Sequence, residues 1–136
     1  MNYWLIKTEP GTYSWDDLKK DKWTFWDGVR NFQARNNLKA MKTGDLALFY
    51  HSVNEKRVMG TAKVIKEHYQ DPGTDDDRWV AVDVAFESEL KYPVHLSEVK
   101  ANPQLSEMVL VKNSRLSVQP VTQLEFDFIM DMSEKS

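Results

Sequence analysis

The chain contains no cysteine, so neither disulfides nor thiolate metal sites can hold it together and its stability must come from packing. It also lacks any run of about 18 apolar residues, which excludes a helix that crosses a bilayer. Its three histidines, His51, His68 and His95, fall in separate segments without HxH or HExxH spacing, and no metal is expected. Neither GxxxxGK[ST] nor GxGxxG occurs and no nucleophile elbow is present, so no cofactor is expected and nothing compels an enzyme. The N-terminus has neither a basic leader nor an apolar block: Tyr3 and Trp4 are followed at once by Lys7 and Glu9. These absences imply a soluble, intracellular (cytoplasmic) protein with no membrane partner.

What is present is one domain's worth of chain, residues 1–136, with 41% apolar and 29% charged residues. A formal net charge of −3 argues against a general nucleic-acid coat, because phosphate binding is driven by Lys and Arg. The charge is uneven, however. From Asp27 to Lys42 four basic residues face one acid, whereas from Glu67 to Glu89 eight acids face a single arginine. One face is therefore expected to be basic on an acidic whole.

Local signals place the elements. Asn2 to Lys7 reads as a first, central strand closed by Glu9-Pro10-Gly11, and Ser14 caps a short helix from Trp15 to Lys20. Asn31 caps a second helix, on which Ala34, Leu38 and Met41 form one stripe, ending before Thr43-Gly44-Asp45. Leu46 to His51 and Arg57 to Tyr69 read as strands joined by a hairpin, with Gly60 marking a bulge or a close approach. After a loop from Gln70 to Asp77, Trp79 to Phe86 is a strand, and Leu90 to Leu96 a further one that Pro93 confines to an edge or a strand start. Ser97 is read as the cap of a helix to Lys100. Thr122 and Glu125 form a capping box, with Val121 and Phe126 as a staple, for a last helix to Met130, after which the terminus frays. Five to six strands with short helices, and no alternation of strand and long helix, predict an α+β fold built on a mixed, mostly antiparallel β barrel.

The remaining signal is a set of aromatics beside polar groups, which suits recognition of a flipped or single-stranded base by stacking and edge contacts. Trp26, followed by Gly28, Arg30, Asn31 and Arg35, is one part. Lys7 to Pro10 is a second and Tyr50-His51-Ser52 a third. Trp4, Trp15, Trp23 and Trp79 are expected in the core. Arg115, Ser117 and Gln119, read as strand, share one face and form either another pocket wall or a support for buried backbone.

These blocks resemble the EVE domain family of the PUA-like superfamily over nearly the whole chain. The resemblance is carried by Tyr3-Trp4-Leu5, Lys7, Glu9-Pro10, Gly28-Val29-Arg30-Asn31, Gln33-Ala34-Arg35-Asn36-Asn37, Gly44-Asp45, Phe49-Tyr50-His51-Ser52 and Arg115 to Thr122. It implies a PUA-like pseudo-barrel that binds nucleic acid, DNA or RNA, by accommodating a modified base in an aromatic pocket. Such domains are similar in fold to YTH domains, whose cage tryptophan corresponds to the segment Phe25-Trp26, and whose Lys-Ser segment resembles Lys7-Thr8-Glu9. The ligand-contacting set so implied is Trp26, Lys7, Thr8, Glu9, Pro10, Arg30, Asn31, Arg35, Tyr50, His51, Ser52, Arg115 and Ser117. Two alternatives stand beside it: an enzyme acting on a nucleotide or nucleoside through His51 or Lys7, and a structural or protein-interaction domain whose amides form an internal network.

Overall fold

A computed structural model describes residues 1–135; the terminal Ser136, part of the segment expected to fray, lies outside the described residues. Six strands form one mixed sheet: β1 (Tyr3–Thr8), β2 (Trp23–Trp26), β3 (Leu46–His51), β4 (Arg57–Gln70), β5 (Val80–His95) and β6 (Val118–Val121). Their order is β2-β5-β4-β3-β1-β6, with only β1 and β3 parallel. This is the mixed, mostly antiparallel PUA-like α+β architecture the sequence implied. The sheet is open, however: the edge strands β2 and β6 are not hydrogen-bonded to each other.

The centre of the sheet is buried on both faces, which explains the unbroken apolar run in β1. Trp4 and Ile6 point to one face and Leu5 to the other, while in β3 Ala47 and Phe49 oppose Leu48 and Tyr50. The first face is covered by α1 (Trp15–Asp21) and α2 (Phe32–Ala40) through Leu18, Ala34 and Leu38. The second is covered by α3 (Leu96–Lys100), α4 (Val109–Lys112) and α5 (Gln123–Met132) through Val99, Leu110, Phe126 and Ile129.

The caps expected at Ser14, Asn31 and Thr122 all form; each side-chain oxygen accepts the N–H three residues on. At α3 the cap is His95 rather than Ser97, and the Glu98 carboxylate accepts the His95 N–H at 3.0 Å. The two strands expected on either side of Glu87-Ser88-Glu89 are one, β5, whose register against β4 slips at several points. Those irregularities let a long strand bend without ending. Pro93 lies in the half of β5 that pairs with β4 alone, since β2 reaches only Val82 to Ala85. There its missing N–H costs no ladder bond. Gly60 meets both expectations. The register shifts beside it, and a Cβ there would stand 2.1 Å from Cζ2 of the buried Trp15 ring.

Of the tryptophans expected inside, Trp4 and Trp15 are buried, but Trp23 is 51% exposed on the short edge strand. Trp79 is half-buried and stacks on Phe32 at 4.9 Å. Apolar character alone put them in the core; an edge strand with one open face leaves such residues outside. Among the described residues, no helix is long and apolar enough to cross a membrane.

Candidate nucleic-acid interface

Where the ends of β1 and β6 approach β2 without pairing, a cavity of about 490 Å³ opens. Thr24, Phe25 and Trp26 bring one wall from β2, Lys7 and Thr8 a second from the end of β1, and Ser117 a third from the approach to β6. Asp27 to Arg30 form the rim, and Thr12 with Tyr13 complete the lining. Five of the residues implied by the sequence thus converge here: Lys7, Thr8, Trp26, Arg30 and Ser117.

Trp26 both lines the cavity and belongs to the core. It is 8% exposed and belongs to the first core, with its ring at 79° to Phe49 and 87° to Tyr13. Phe25, the preceding residue, turns the other way and is 45% exposed. Alternation along β2 therefore anchors one aromatic and frees its neighbour. Burial lowers the Lys7 pKa from its ordinary value, and its ammonium donates to the Ser114 carbonyl. The backbone N–H of Lys7 donates to Ser117 O at 2.9 Å, so β1 continues to grip the segment ahead of β6. Burial also pushes the Tyr13 hydroxyl up to about 12, with the Asp21 carboxylate, which accepts its proton at 3.0 Å, adding to the shift.

The rim is held from a distance. Oδ2 of Asp71, a side chain with no exposed surface, accepts from the Gly28 N–H at 2.8 Å and from Arg30 Nη1 at 2.9 Å. Its Oδ1 accepts from Gly73 N at 2.7 Å. Burial alone would raise the Asp71 pKa, but these three donors outweigh it and hold the carboxyl below its usual range. Gly28 takes a φ of +76°, a left-handed turn that glycine adopts without strain. Most of the charge of Arg30 is thus spent on the scaffold.

The other implied residues do not reach the cavity. The Glu9 carbonyl accepts the N–H groups of Thr12 and Tyr13, so Glu9 and Pro10 build the turn that delivers those two residues. Asn31 caps α2, and Arg35 extends over the Phe32 ring at 5.0 Å and donates to Arg78 O. Tyr50 is buried in the second core, on the opposite face of the sheet from Trp26, and supports Lys7, whose ammonium lies 5.5 Å from its ring centre. His51 is 4% exposed; its Nε2 accepts the Trp15 N–H at 2.9 Å, so Nδ1 carries the proton and faces Glu55 at 3.0 Å. Both ring nitrogens are occupied within the protein. Ser52 bonds back to Thr8 O, and Arg115 is exposed in the loop before β6. Arg115, Ser117 and Gln119 do not share a strand face, because β6 starts only at Val118 and Gln119 folds inward to Leu116 O at 2.8 Å.

The ligand-contacting set read from the sequence lacked Thr12, Tyr13, Thr24, Asp27, Gly28 and Val29, which line the cavity, and Asp71, which anchors its rim; Phe25 entered only as part of the segment Phe25-Trp26. An aspartate before Pro72-Gly73 does signal a turn in which its own side chain takes the Gly73 N–H. Nothing local signals a partner more than 40 residues earlier. Among the described residues no group of three His, Asp or Glu side chains converges as a metal site would require.

Comparison with known proteins extends this picture. Residues 2–132 match the EVE domain. Human thymocyte nuclear protein 1 is 39% identical, over 98% of this chain and 75% of its own length. The crystal structure of Atu2648 from Agrobacterium tumefaciens superposes with a TM-score of 0.94 at 43% identity, covering 98% of this chain and 93% of that one. Human THYN1, crystallised in complex with DNA containing 5-methylcytosine, superposes with a TM-score of 0.92 at 39% identity, covering 100% and 99%. An ASCH protein from Zymomonas mobilis shares the fold alone, at 10% identity and a TM-score of 0.60 over 96% of this chain and 95% of its own.

Proposed function

The chain belongs to the EVE domain family, and on that premise we propose that it is a nucleic-acid-binding module which takes a modified base into the cavity beside Trp26. The observation that carries this reading is the convergence, in one cavity of base-accommodating size, of two adjacent aromatics with Lys7 and Arg30. The base enters past the exposed Phe25 ring and rests on the accessible part of Trp26. Lys7 and Ser117 contact its edge. Arg30, held by Asp71, keeps donors for a flanking phosphate or sugar. The ligand with which the human relative was crystallised, DNA with 5-methylcytosine, supports the same class of ligand for this chain.

The reading requires no reaction. An enzyme working through His51 would need a free ring nitrogen in the cavity, and both of its nitrogens are satisfied inside the fold. The direct test is fluorescence anisotropy with labelled oligonucleotides that carry a central 5-methylcytosine or cytosine. Wild type is expected to favour the methylated strand, and Trp26→Phe, which keeps an aromatic in the core, to bind it more weakly. Equal affinity of the two folded proteins would refute stacking on Trp26.

A further inference from the structure

We infer that Asp27 selects the base, by accepting an N–H of an exocyclic amine on its carboxylate. The inference rests on the proposed function of the cavity and adds the chemical class of its ligand. Asp27 is the one acidic residue among those that line the cavity, and it is exposed. Among the described residues no side chain or backbone N–H donates to it or pairs with it.

The donors around it are directed elsewhere. Arg30, three residues on, gives Nη1 to Asp71 and to Val29 O, and Gly28 N, the next amide, also goes to Asp71. Lys7 donates to Ser114 O, Thr8 to Tyr13 O and Tyr13 to Asp21. Asp71, buried behind the rim, has thus taken Arg30 and the turn amide, and Asp27 is left free.

An uncompensated carboxylate is a poor neighbour for phosphate. In a base-binding cavity it favours a ligand that brings a donor. Exocyclic amines supply that donor, and an Asp that accepts from the cytosine N4 amine is an established pairing in base recognition. Thymine turns a carbonyl oxygen to the same place, so acceptor would face acceptor. A methyl at C5 would in either base meet the apolar part of the lining, to which Val29 and Phe25 belong.

The experiment uses 5-methylcytosine and thymine, which share the methyl group and differ at position 4 and in the proton on N3. Single-stranded oligonucleotides, identical except for that central base, remove differences in pairing strength. Wild type is expected to bind the 5-methylcytosine strand about tenfold or more tightly than the thymine strand. Asp27→Asn, whose amide offers a donor as well as an acceptor, is expected to lose most of that preference while keeping its circular dichroism and melting temperature. Equal wild-type binding of the two strands, or an undiminished preference in Asp27→Asn, overturns the assignment. Absence of binding to any strand overturns the base-binding reading and the assignment with it. Binding without discrimination overturns the assignment alone.

Discussion

The backbone N–H of Trp15 donates to Nε2 of His51 across 2.9 Å, which closes the first turn of α1 with an imidazole from β3. The Ser14 hydroxyl accepts the Asp17 N–H, so helix and sheet are joined at the helix start. Replacing His51 by Ala leaves that buried N–H without an acceptor, and a loss of about 1–3 kcal/mol is expected in urea unfolding. Oligonucleotide affinity, measured where the variant is folded, should be unchanged. A loss of affinity without a loss of stability would return His51 to the binding site.

Gly60 has no room for a side chain. Besides the Trp15 contact, a Cβ there would lie 2.7 Å from the Ser88 carbonyl, in backbone of β5. Gly60→Ala is expected to destabilise by about 1–3 kcal/mol or more, as overpacking of a rigid core does, and denaturant unfolding measures it.

Acid should weaken the fold through two carboxylates. Asp45 accepts the Trp4 indole N–H at 3.0 Å together with the backbone N–H groups of Asn2 and Lys42. Burial raises its pKa, but these bonds outweigh it, and like Asp71 it sits below the ordinary value of 3.8. A carboxyl with a depressed folded pKa binds fewer protons folded than unfolded. Its contribution is therefore complete above the unfolded value and disappears as pH falls through the folded one. Melting temperatures below about pH 4 should fall less steeply in Asp71→Asn, which starts lower at neutral pH, than in wild type.

Binding should depend only weakly on salt. Lys7 and Arg30 are the cations lining the cavity, Arg30 is already paired with Asp71, and the net charge is −3. A slope of log affinity against log salt no steeper than about −2 is expected. A much steeper slope would place the nucleic acid on another, basic face.

Asn31→Ala separates scaffold from ligand contact. Its side chain accepts the Ala34 N–H at 2.9 Å, and loss of this cap is expected to cost about 1 kcal/mol by thermal or chemical unfolding. Asn37 on the same helix is also a scaffold residue, donating to Val118 O at 2.7 Å. The amides of this stretch are therefore divided among capping α2, joining it to β6 and facing solvent, as Gln33 does.

Much of the architecture was legible because its determinants are local. Ser14, Asn31 and Thr122 signal helix starts within four residues, and Leu46 to His51 has the length and apolarity of a buried strand. The site was legible in part. Trp26, Lys7 and Ser117, from three segments that the resemblance spans, line one cavity, but Tyr50 and His51 point away for reasons that only the pleat direction of β3 and the partner at Trp15 decide. Glu87-Ser88-Glu89 looked like a break because a polar run usually is one, whereas here one side of β5 has no neighbour and tolerates it.

The unpaired edges of β2 and β6 also determine how the cavity can deform. No ladder hydrogen bond crosses it, because β2 and β6 are the two outer strands of the sheet. The two sides are joined instead through α2, which packs against both β5 and β6. The sheet is therefore unlaced between β2 and β6, and the proposed base-binding cavity opens at that gap.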